Sequence, residues 1–304
     1  MRKLRIGIVG LGSIAQKVYL PILTNTAKWE LVGAFSPNNE KGNRICSAYR
    51  IPFFDNLDTL AKQCDAIFVH SATSSHFEVI KYLLHAGVHI YVDKPLTENI
   101  DQSEALIELA AKKNKKLMVG FNRRFAPFYQ SLKQNITHLS SLRIDKHRCD
   151  SIGPKDTRFT LFDDYLHVVD TALWFAGSKA KLISGNIIQT EKDELFYAEH
   201  HLKINDCWIT TSMHRKAGSQ QEQLIAVDED NLYQITNMNL WRSENKNIIA
   251  EKHPENWDPI LLQRGFIGAV EHFIHSVIND TEPMTSGEQA IIAQLMIEKM
   301  LVNQ

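Results

Sequence analysis

The sequence lacks the features that mark several large classes of protein. It has no internal repeat or low-complexity tract, and its 44% apolar and 23% charged residues are a mixture typical of globular proteins. The apolar runs are only a few residues long, as at 66–69, so no segment is predicted to span a bilayer. The 34 Lys and Arg residues nearly balance the 35 Asp and Glu residues, leaving a formal net charge of −1. This charge provides no strong net field for nucleic acid or an anionic membrane.

Cysteine is also scarce, which bears on cellular compartment and metal binding. The four cysteines lie far apart and form no Cys-x-x-Cys or Cys-x-His pair, so no disulfide framework is predicted. His200 and His201 point to opposite faces of a predicted strand, and His272 and His275 have no third ligand nearby in sequence. No metal site is therefore predicted.

The first residues lack the apolar region and cleavage site of a signal peptide, so we expect a cytoplasmic protein.

The first 120 residues alternate short strand-like runs with helical stretches. Both faces of these strands are apolar, which is typical of a parallel sheet covered by helices on both sides. A chain of 304 residues also has the length of two domains. The sequence therefore predicts an α/β protein whose first domain, over residues 1–120, contains a doubly wound parallel sheet, its strands falling at 4–10, 31–36, 66–71, 89–93 and 116–120.

After residue 120 the strands follow one another directly, with one helix over about 163–176 between them. This pattern indicates a large, mostly antiparallel open sheet. It predicts a C-terminal α+β domain over residues 121–304. Residues 241–261 are predicted as a long loop. The strands are predicted over 141–148, 181–190, 195–204, 207–215 and 223–237, and the closing helices over 262–279 and 286–302.

A glycine-rich turn follows the first predicted strand. Gly10 permits a tight turn, Gly12 lets a pyrophosphate approach the backbone, and Ala15 allows the helix to pack closely on the sheet. The backbone amides at Ser13 and Ile14 open the helix and face an anion. Small residues also serve ordinary strand–helix turns, but the position at the first β–α junction favours dinucleotide binding. Residues 1–120 are therefore predicted to form an NAD(P)-binding Rossmann domain.

The end of the second predicted strand favours NADP(H) over NAD(H). A carboxylate at this point binds the ribose hydroxyl of NAD and repels the 2′-phosphate of NADP. This chain instead has Ser36 and Asn38, followed by Lys41 and Arg44. The missing acid and the available donors favour NADP(H), while an ordinary turn here is compatible with either cofactor.

Two further motifs complete a recognisable set. One strand ends in Asp93-Lys94-Pro95-Leu96, and a Lys at the carboxyl end of a strand points toward the crevice where such sheets bind ligands. Asp163 and His167 are four residues apart, which places them on one face of a helix. Together with the glycine-rich turn, VDKPL and the Asp-x-x-x-His element resemble the Gfo/Idh/MocA family of nicotinamide-dependent sugar and cyclitol oxidoreductases. The resemblance extends over nearly the whole chain, and segments such as GLGSIAQK and DDYLHVVDTALW resemble the family's MviM/YceM-type subgroup.

The resemblance implies roles for these residues. Lys94 matches the family's motif lysine, which lies beside the nicotinamide, binds the substrate oxygen and assists proton transfer. His167 matches the usual general acid/base, and Asp163 matches the companion that holds substrate or orients the catalytic group. Asp93 stands where the motif usually has Glu. Further cofactor or substrate contacts are expected from residues along the crevice, namely Ser71, Thr73, His76, Asn122 and Arg123, with His76 alternatively capping the following helix.

These assignments predict reversible hydride transfer between NADP(H) and a hydroxyl carbon of a sugar, sugar acid or cyclitol. By family analogy, residues 121–304 are expected to bind substrate and to form the contacts of a homodimer or higher homo-oligomer. We expect a small-molecule substrate and no nucleic-acid or membrane partner. The alternative is a dinucleotide-binding regulatory or scaffold protein with a vestigial catalytic apparatus. Tyr165 supports this alternative, because the resemblance implies Gly between the Asp and the His and a large side chain there is expected to narrow or reshape the pocket.

Overall fold

The computed structural model describes residues 2–25 and 28–302. The predicted domains also include residues 1, 26, 27, 303 and 304, which lie outside the described residues. The described chain divides into two units. The first runs from its start to Phe121 and includes Phe266–Ile291, and the second comprises Asn122–Gly265 and the residues from Ile292 onward. The functional division at residue 120 stays a prediction.

Six of the described strands form the sheet of the first unit, in the order β3-β2-β1-β4-β5-β6. Every neighbouring pair is parallel, which confirms the predicted doubly wound sheet. Strand β3 was absent from the sequence prediction because two residues are too few to show a period. The strands are β1 (Leu4–Val9), β2 (Trp29–Phe35), β3 (Phe53–Phe54), β4 (Ala66–Val69), β5 (His89–Val92) and β6 (Leu117–Val119).

Eight of the described strands form the sheet of the second unit, in the order β14-β13-β12-β11-β7-β10-β9-β8. All neighbours are antiparallel except β7 and β10, which confirms the predicted mostly antiparallel sheet. The strands are β7 (Ser141–His147), β8 (Lys181–Gln189), β9 (Leu195–Ile204), β10 (Cys207–His214), β11 (Gln221–Val227), β12 (Leu232–Thr236), β13 (Leu240–Asn245) and β14 (Ile248–Lys252).

The prediction of a long loop over 241–261 was wrong at its start, where β13 and β14 form a hairpin. Lys246 and Asn247 connect the two strands with φ angles of 48° and 65°. Two successive residues with positive φ make the tight turn that matches the twist of antiparallel strands. Neither residue is glycine, so the sequence does not carry the usual signature of this turn, and all of β14 is exposed, so it lacks an alternating apolar pattern.

The helices differ from the predictions mainly at their ends and in two irregular turns. Two π-helical turns, Ala15–Tyr19 and Leu161–Tyr165, lead directly into α1 and α8. The helices are α1 (Leu20–Leu23), α2 (Asn39–Tyr49), α3 (Leu57–Ala61), α4 (His76–His85), α5 (Ile100–Lys112), α6 (Pro127–Asn135), α7 (Thr157–Thr160), α8 (Leu166–Ala176), α9 (Ile260–Gln263), α10 (Phe266–Asn279) and α11 (Gly287–Val302). Among the described residues, none of these helices combines the length and the apolar character needed to cross a bilayer.

Aromatic side chains pack α10 against the first sheet. Phe68 on β4 and Tyr91 on β5 contact Phe273 edge to face, with ring centroids 5.4 and 5.6 Å apart. The Tyr19 and Tyr91 hydroxyls are hydrogen bonded at 3.0 Å. All four rings are fully buried. Because aromatic side chains bury large areas, this cluster accounts for the inclusion of the chain after Phe266 in the first unit.

In the second unit, α8 covers one face of the sheet at β7 and β10. Ile144 and Met213 are buried on this face, while Arg143 and Trp208 alternate with them and are exposed on the opposite face. The sheet therefore has one covered and one open side, as predicted.

Candidate active site

The glycine-rich turn has the shape that a dinucleotide needs. Gly10 has a φ of 91°, and a Cβ on it would lie 2.4 Å from the backbone nitrogen of Ser71, so only glycine fits. At Gly12 the atom nearest to an added Cβ would be the His70 carbonyl oxygen, 3.9 Å away. The space above Gly12 is thus open, and the glycine leaves room for a pyrophosphate to approach the backbone. Ser13 is exposed beside it, and Ala15 is fully buried against the sheet.

The described residues 36–39, which directly follow β2, include no carboxylate, and the first acidic side chain is Glu40 in the first turn of α2. Ser36 follows the strand and is half-buried. The Asn38 side-chain oxygen accepts a hydrogen bond from the Lys41 backbone nitrogen at 2.9 Å and so caps α2. Lys41 and Arg44 are exposed on the first turns of this helix. The donors predicted to favour NADP(H) therefore lie at the carboxyl edge of the sheet, with the Asn38 oxygen already engaged.

His76 joins the ends of β4 and β5. The ring is buried, its Nδ1 lies 3.1 Å from the Pro95 carbonyl oxygen, and its Nε2 lies 3.2 Å from the Ser71 carbonyl oxygen. Burial lowers the pKa of His76. Ser71 is half-buried and its hydroxyl accepts from Ser75, while Thr73 opens the short helical turn before α4. The polar contacts of His76 thus position the turn that carries Lys94.

Lys94 follows β5, which lies between β4 and β6 in the sheet. Asp93 shapes this turn by accepting a hydrogen bond on its carboxylate from the Lys94 backbone nitrogen at 3.0 Å. The Lys94–Pro95 peptide bond is cis, and Leu96 is fully buried behind it. Both Asp93 and Lys94 are half-buried. The lysine therefore lies at the carboxyl edge of the parallel sheet, where such sheets bind ligands.

Asp163 and His167 lie in the second unit at the junction of a π-helical turn and α8. Asp163 is exposed and His167 is half-buried. The sequence spacing predicts a regular helix here, and the wider turn was not predicted because no residue pattern distinguishes it from an α-helix. Single π-helical turns inside helices are frequent at functional sites.

The expectation that Tyr165 narrows the pocket was wrong. Its side chain is fully buried and points into the sheet, where the hydroxyl lies 2.9 Å from the Thr211 carbonyl oxygen, 2.7 Å from the Thr211 hydroxyl and 3.0 Å from His200 Nδ1. Burial raises the pKa of Tyr165 above its ordinary value. The large side chain therefore packs the core of the second unit, and the sequence argument for a vestigial protein loses its main support.

Asn122 and Arg123 already have partners within the second unit. The Asn122 side-chain amide donates to the Arg264 carbonyl oxygen at 2.7 Å. Arg123 donates from Nε and Nη2 to the two carboxylate oxygens of Glu222 at 2.7 and 2.6 Å, and both side chains are buried. Their assignment as cofactor or substrate contacts stays a prediction.

A buried cluster around Asp164 was not predicted. Lys146 and Arg148 from the β7 end and Arg215 from the β10 end all form ion pairs with its carboxylate. These cations hold the pKa of Asp164 well below its usual range against the opposing effect of burial, and burial lowers the pKa of Lys146 to about 8. No sequence pattern predicts that these four charged residues meet, because they come from the ends of two strands and from a helical turn.

Comparison with known proteins agrees with this geometry. Residues 4–121 match the Gfo/Idh/MocA family profile, described as an oxidoreductase family with an NAD-binding Rossmann fold. Residues 127–246 match a profile described as the YceM-like C-terminal domain.

Individual relatives are similar over different shares of the chain. The Salmonella typhimurium protein named as oxidoreductase YceM is 57% identical over 300 residues, covering 99% of this chain and 98% of the relative. The structure of the MviM dehydrogenase from Clostridium difficile has a TM-score of 0.97 and 44% identity, with 100% of both chains covered. The UDP-N-acetylglucosamine 3-dehydrogenase of Acidithiobacillus ferrooxidans is 31% identical over 138 residues, covering 44% of this chain and 42% of the relative. The chain therefore belongs to the Gfo/Idh/MocA family of oxidoreductases, and its first unit has the NAD-binding Rossmann fold of that family.

Proposed function

We propose that this oxidoreductase transfers hydride between NADP(H) and a hydroxyl-bearing carbon of a sugar, sugar acid or cyclitol. The observation that carries the proposal is the position of Lys94 at the carboxyl edge of the sheet that also bears the open glycine turn. A relative that is 31% identical over 44% of the chain is named as a dehydrogenase of a nucleotide sugar, which supports a carbohydrate substrate.

The first unit supplies the groups that hold the cofactor. Backbone amides of the turn from Gly10 to Ile14 bind the pyrophosphate, because the open space at Gly12 lets it approach. Ser36 and the cations Lys41 and Arg44 bind the adenosine 2′-phosphate. When bound, the nicotinamide supplies the hydride acceptor or donor. Ser71 and Thr73 line the groove along the end of β4.

Proton transfer is the task of the chain's own side chains. An alcohol loses hydride only as its hydroxyl proton leaves, so oxidation needs a base beside that oxygen. Lys94 donates a hydrogen bond to the substrate oxygen and stabilises its developing negative charge. His167 accepts the proton, since imidazole in general titrates near neutral pH. Asp163 holds a substrate hydroxyl or orients the imidazole.

A cofactor-reduction screen tests this function. The full chain is incubated with NADP⁺ or NAD⁺ and a panel of sugars, sugar acids and cyclitols, and the absorbance of the reduced nicotinamide is recorded. We expect turnover of at least one compound, faster with NADP⁺. No turnover of any compound with either cofactor would contradict the proposal.

Cofactor preference yields a separate prediction at Ser36. Ser36→Asp places a carboxylate where it repels the 2′-phosphate and binds the ribose hydroxyl, so NADPH affinity is expected to fall by about tenfold or more and NADH affinity to rise. Fluorescence titration of both reduced cofactors measures this. Ser47→Asp, at an exposed position near the other end of α2, is the matched control and should leave the ratio unchanged. Tighter NADH binding by the unmodified chain would refute the preference.

The proposal includes a homodimer in the cytoplasm. The open face of the second sheet exposes Trp208 by 49%, and Ile188 and Val227 also lie exposed on their strands. Exposed apolar side chains on one sheet face are typical of a surface that packs against another copy. The described cysteines are all unpaired, which supports a reducing compartment.

A further inference from the structure

The cations around Asp164 converge because two parallel strands end at the same edge of the second sheet. β7 and β10 pair in parallel, with His147 opposite His214. Lys146 and Arg148 are two residues apart and so project from the same face, the one that α8 covers. Arg215 follows β10 and reaches the same carboxylate from the neighbouring strand. The π-helical turn supplies Asp164 from the helical layer above.

One carboxylate receives all three cations. Arg148 donates from Nε and Nη2 to Asp164 at 2.9 Å each, Arg215 donates from Nη1 at 2.6 Å, and Lys146 donates from Nζ. The Lys146 and Arg215 side chains are only 7% and 13% exposed, whereas Arg148 is 28% exposed. The cluster is thus mostly buried, with Arg148 open to solvent on one side.

The charges of this cluster do not balance. With the adjacent pair Arg123 and Glu222, which acts electrostatically on Lys146, the cluster contains four cations and two carboxylates. Including the exposed Asp163 beside it still leaves the cations in excess. Burying cations without compensating anions is costly.

Two donors of the cluster stay available. Within the described part of the chain, Arg148 Nη1 and Arg215 Nη2 make no hydrogen bond, because Arg215 uses Nε for the Ser151 carbonyl and Nη1 for Asp164 and the Met213 sulfur. Guanidinium groups bind carboxylates and phosphates through paired N–H donors. The cluster therefore has both the charge and the donors to accept one further anion.

The anion site adjoins Asp163 and His167, which lie in the same unit. Asp164 directly follows Asp163 in the chain. It lies three residues before His167, so Asp164 and His167 are neighbours on the helix. We infer that the substrate carries a carboxylate or phosphate group and that Arg148 and Arg215 bind it. This inference rests on the proposed function and narrows its substrate class to anionic sugars or cyclitols.

Binding of three anions tests the inference independently of turnover. The affinities are measured by isothermal titration calorimetry at constant ionic strength. The full chain is first saturated with NADP⁺, so that the glycine turn is filled. It is then titrated with D-glucuronate, D-glucose 6-phosphate or inorganic phosphate, and with neutral D-glucose for comparison. We expect at least one anion to bind about tenfold or more tightly than D-glucose. Binding of glucuronate alone identifies a carboxylate, and binding of the two phosphates identifies a phosphate group.

Two variants separate the cluster from general surface charge. Arg148→Gln is expected to weaken anion binding by about tenfold, while Lys146 and Arg215 remain to neutralise Asp164 and keep the chain folded. Arg215→Gln gives a second measurement if the first variant unfolds. Arg143→Gln is the matched control, since this arginine lies on β7, the strand that ends just before Arg148, but on the opposite, exposed face. Its affinity for the anion should equal that of the unmodified chain.

The outcomes distinguish this inference from the proposed function. If no anion binds more tightly than D-glucose, or if the preference survives both cluster variants, the inference is wrong even when the enzyme oxidises neutral sugars. If an anion binds through Arg148 but no compound is turned over with either cofactor, the anion site stands and the proposed hydride transfer fails.

Discussion

Replacing Lys94 by Met is expected to lower kcat/KM for the alcohol substrate by about 10²- to 10⁴-fold, the usual range for losing a group that assists proton transfer. Methionine keeps the length of the side chain but removes the ammonium that bonds the substrate oxygen. The buried His76 ring, whose Nδ1 and Nε2 lie 3.1 and 3.2 Å from the carbonyl oxygens of Pro95 and Ser71, still holds the turn in place. The loss of kcat/KM is measured by steady-state kinetics with the compound that the cofactor-reduction screen identifies.

A control variant separates the loss of the lysine that assists proton transfer from the loss of a positive charge elsewhere in the same unit. Lys81→Met removes a lysine from the exposed surface of α4 in the same unit, where its Nζ lies 5.3 Å from the centre of the Phe77 ring. This variant should keep the kcat/KM of the unmodified enzyme. We further expect the Lys94 variant to bind NADPH by fluorescence titration. Unchanged kcat/KM in Lys94→Met would show that another group assists the proton transfer.

The second large effect concerns stability and Asp164. Asp164→Asn leaves Lys146, Arg148 and Arg215 around a neutral amide, so three cations lose their shared anion. Breaking a buried ion pair by removing one partner costs about 3–5 kcal/mol. The free energy of unfolding, measured by urea denaturation at neutral pH, is therefore expected to fall by about that amount.

A double variant tests whether charge is the cause. Adding Lys146→Met to Asp164→Asn removes one charge of each sign, and we expect it to recover a substantial part of the lost stability. If the double variant is less stable than Asp164→Asn alone, the effect comes from lost packing.

The depressed pKa of Asp164 predicts how the difference in stability between the unmodified protein and Asp164→Asn varies with pH. The pKa of Asp164 is depressed in the folded state, so the folded protein binds this proton less readily than the unfolded chain. Its contribution to stability is fully present above the unfolded pKa of about 3.9 and is lost as the pH falls toward the folded pKa. The difference in stability between the unmodified protein and Asp164→Asn should therefore shrink below about pH 4.

The parallel sheet and the glycine turn could be predicted because their signals are local. The runs at 4–10 and 66–71 are apolar on both faces, which only a covered sheet explains, and they correspond to β1 and β4. Gly10 was assigned to the tight turn from its position alone, and its φ of 91° agrees. The hairpin of β13 and β14 could not be predicted, because its turn uses Lys246 and Asn247 in a backbone conformation usually filled by glycine.

The candidate site residues also come from local signals in the sequence. The Asp-x-x-x-His and VDKPL motifs identify Asp163, His167 and Lys94 as candidates, and their assignment stays a prediction. The orientation of the Tyr165 side chain could not be predicted, because the sequence is compatible with a tyrosine that faces the ligand and with one that faces the sheet. Its hydroxyl partners Thr211 and His200 lie 46 and 35 residues away in the chain.

The sequence by itself determined the fold class and the oxidoreductase family, since periodicity, turn glycines and short motifs depend on neighbouring residues. Tertiary structure alone decided which charges meet. Lys146 and Arg215 are 18 and 51 residues from Asp164, and only the parallel pairing of β7 and β10 brings them to one carboxylate. Because electrostatic energy depends on distance in space and on burial, the charge excess beside His167 arises only in the folded chain.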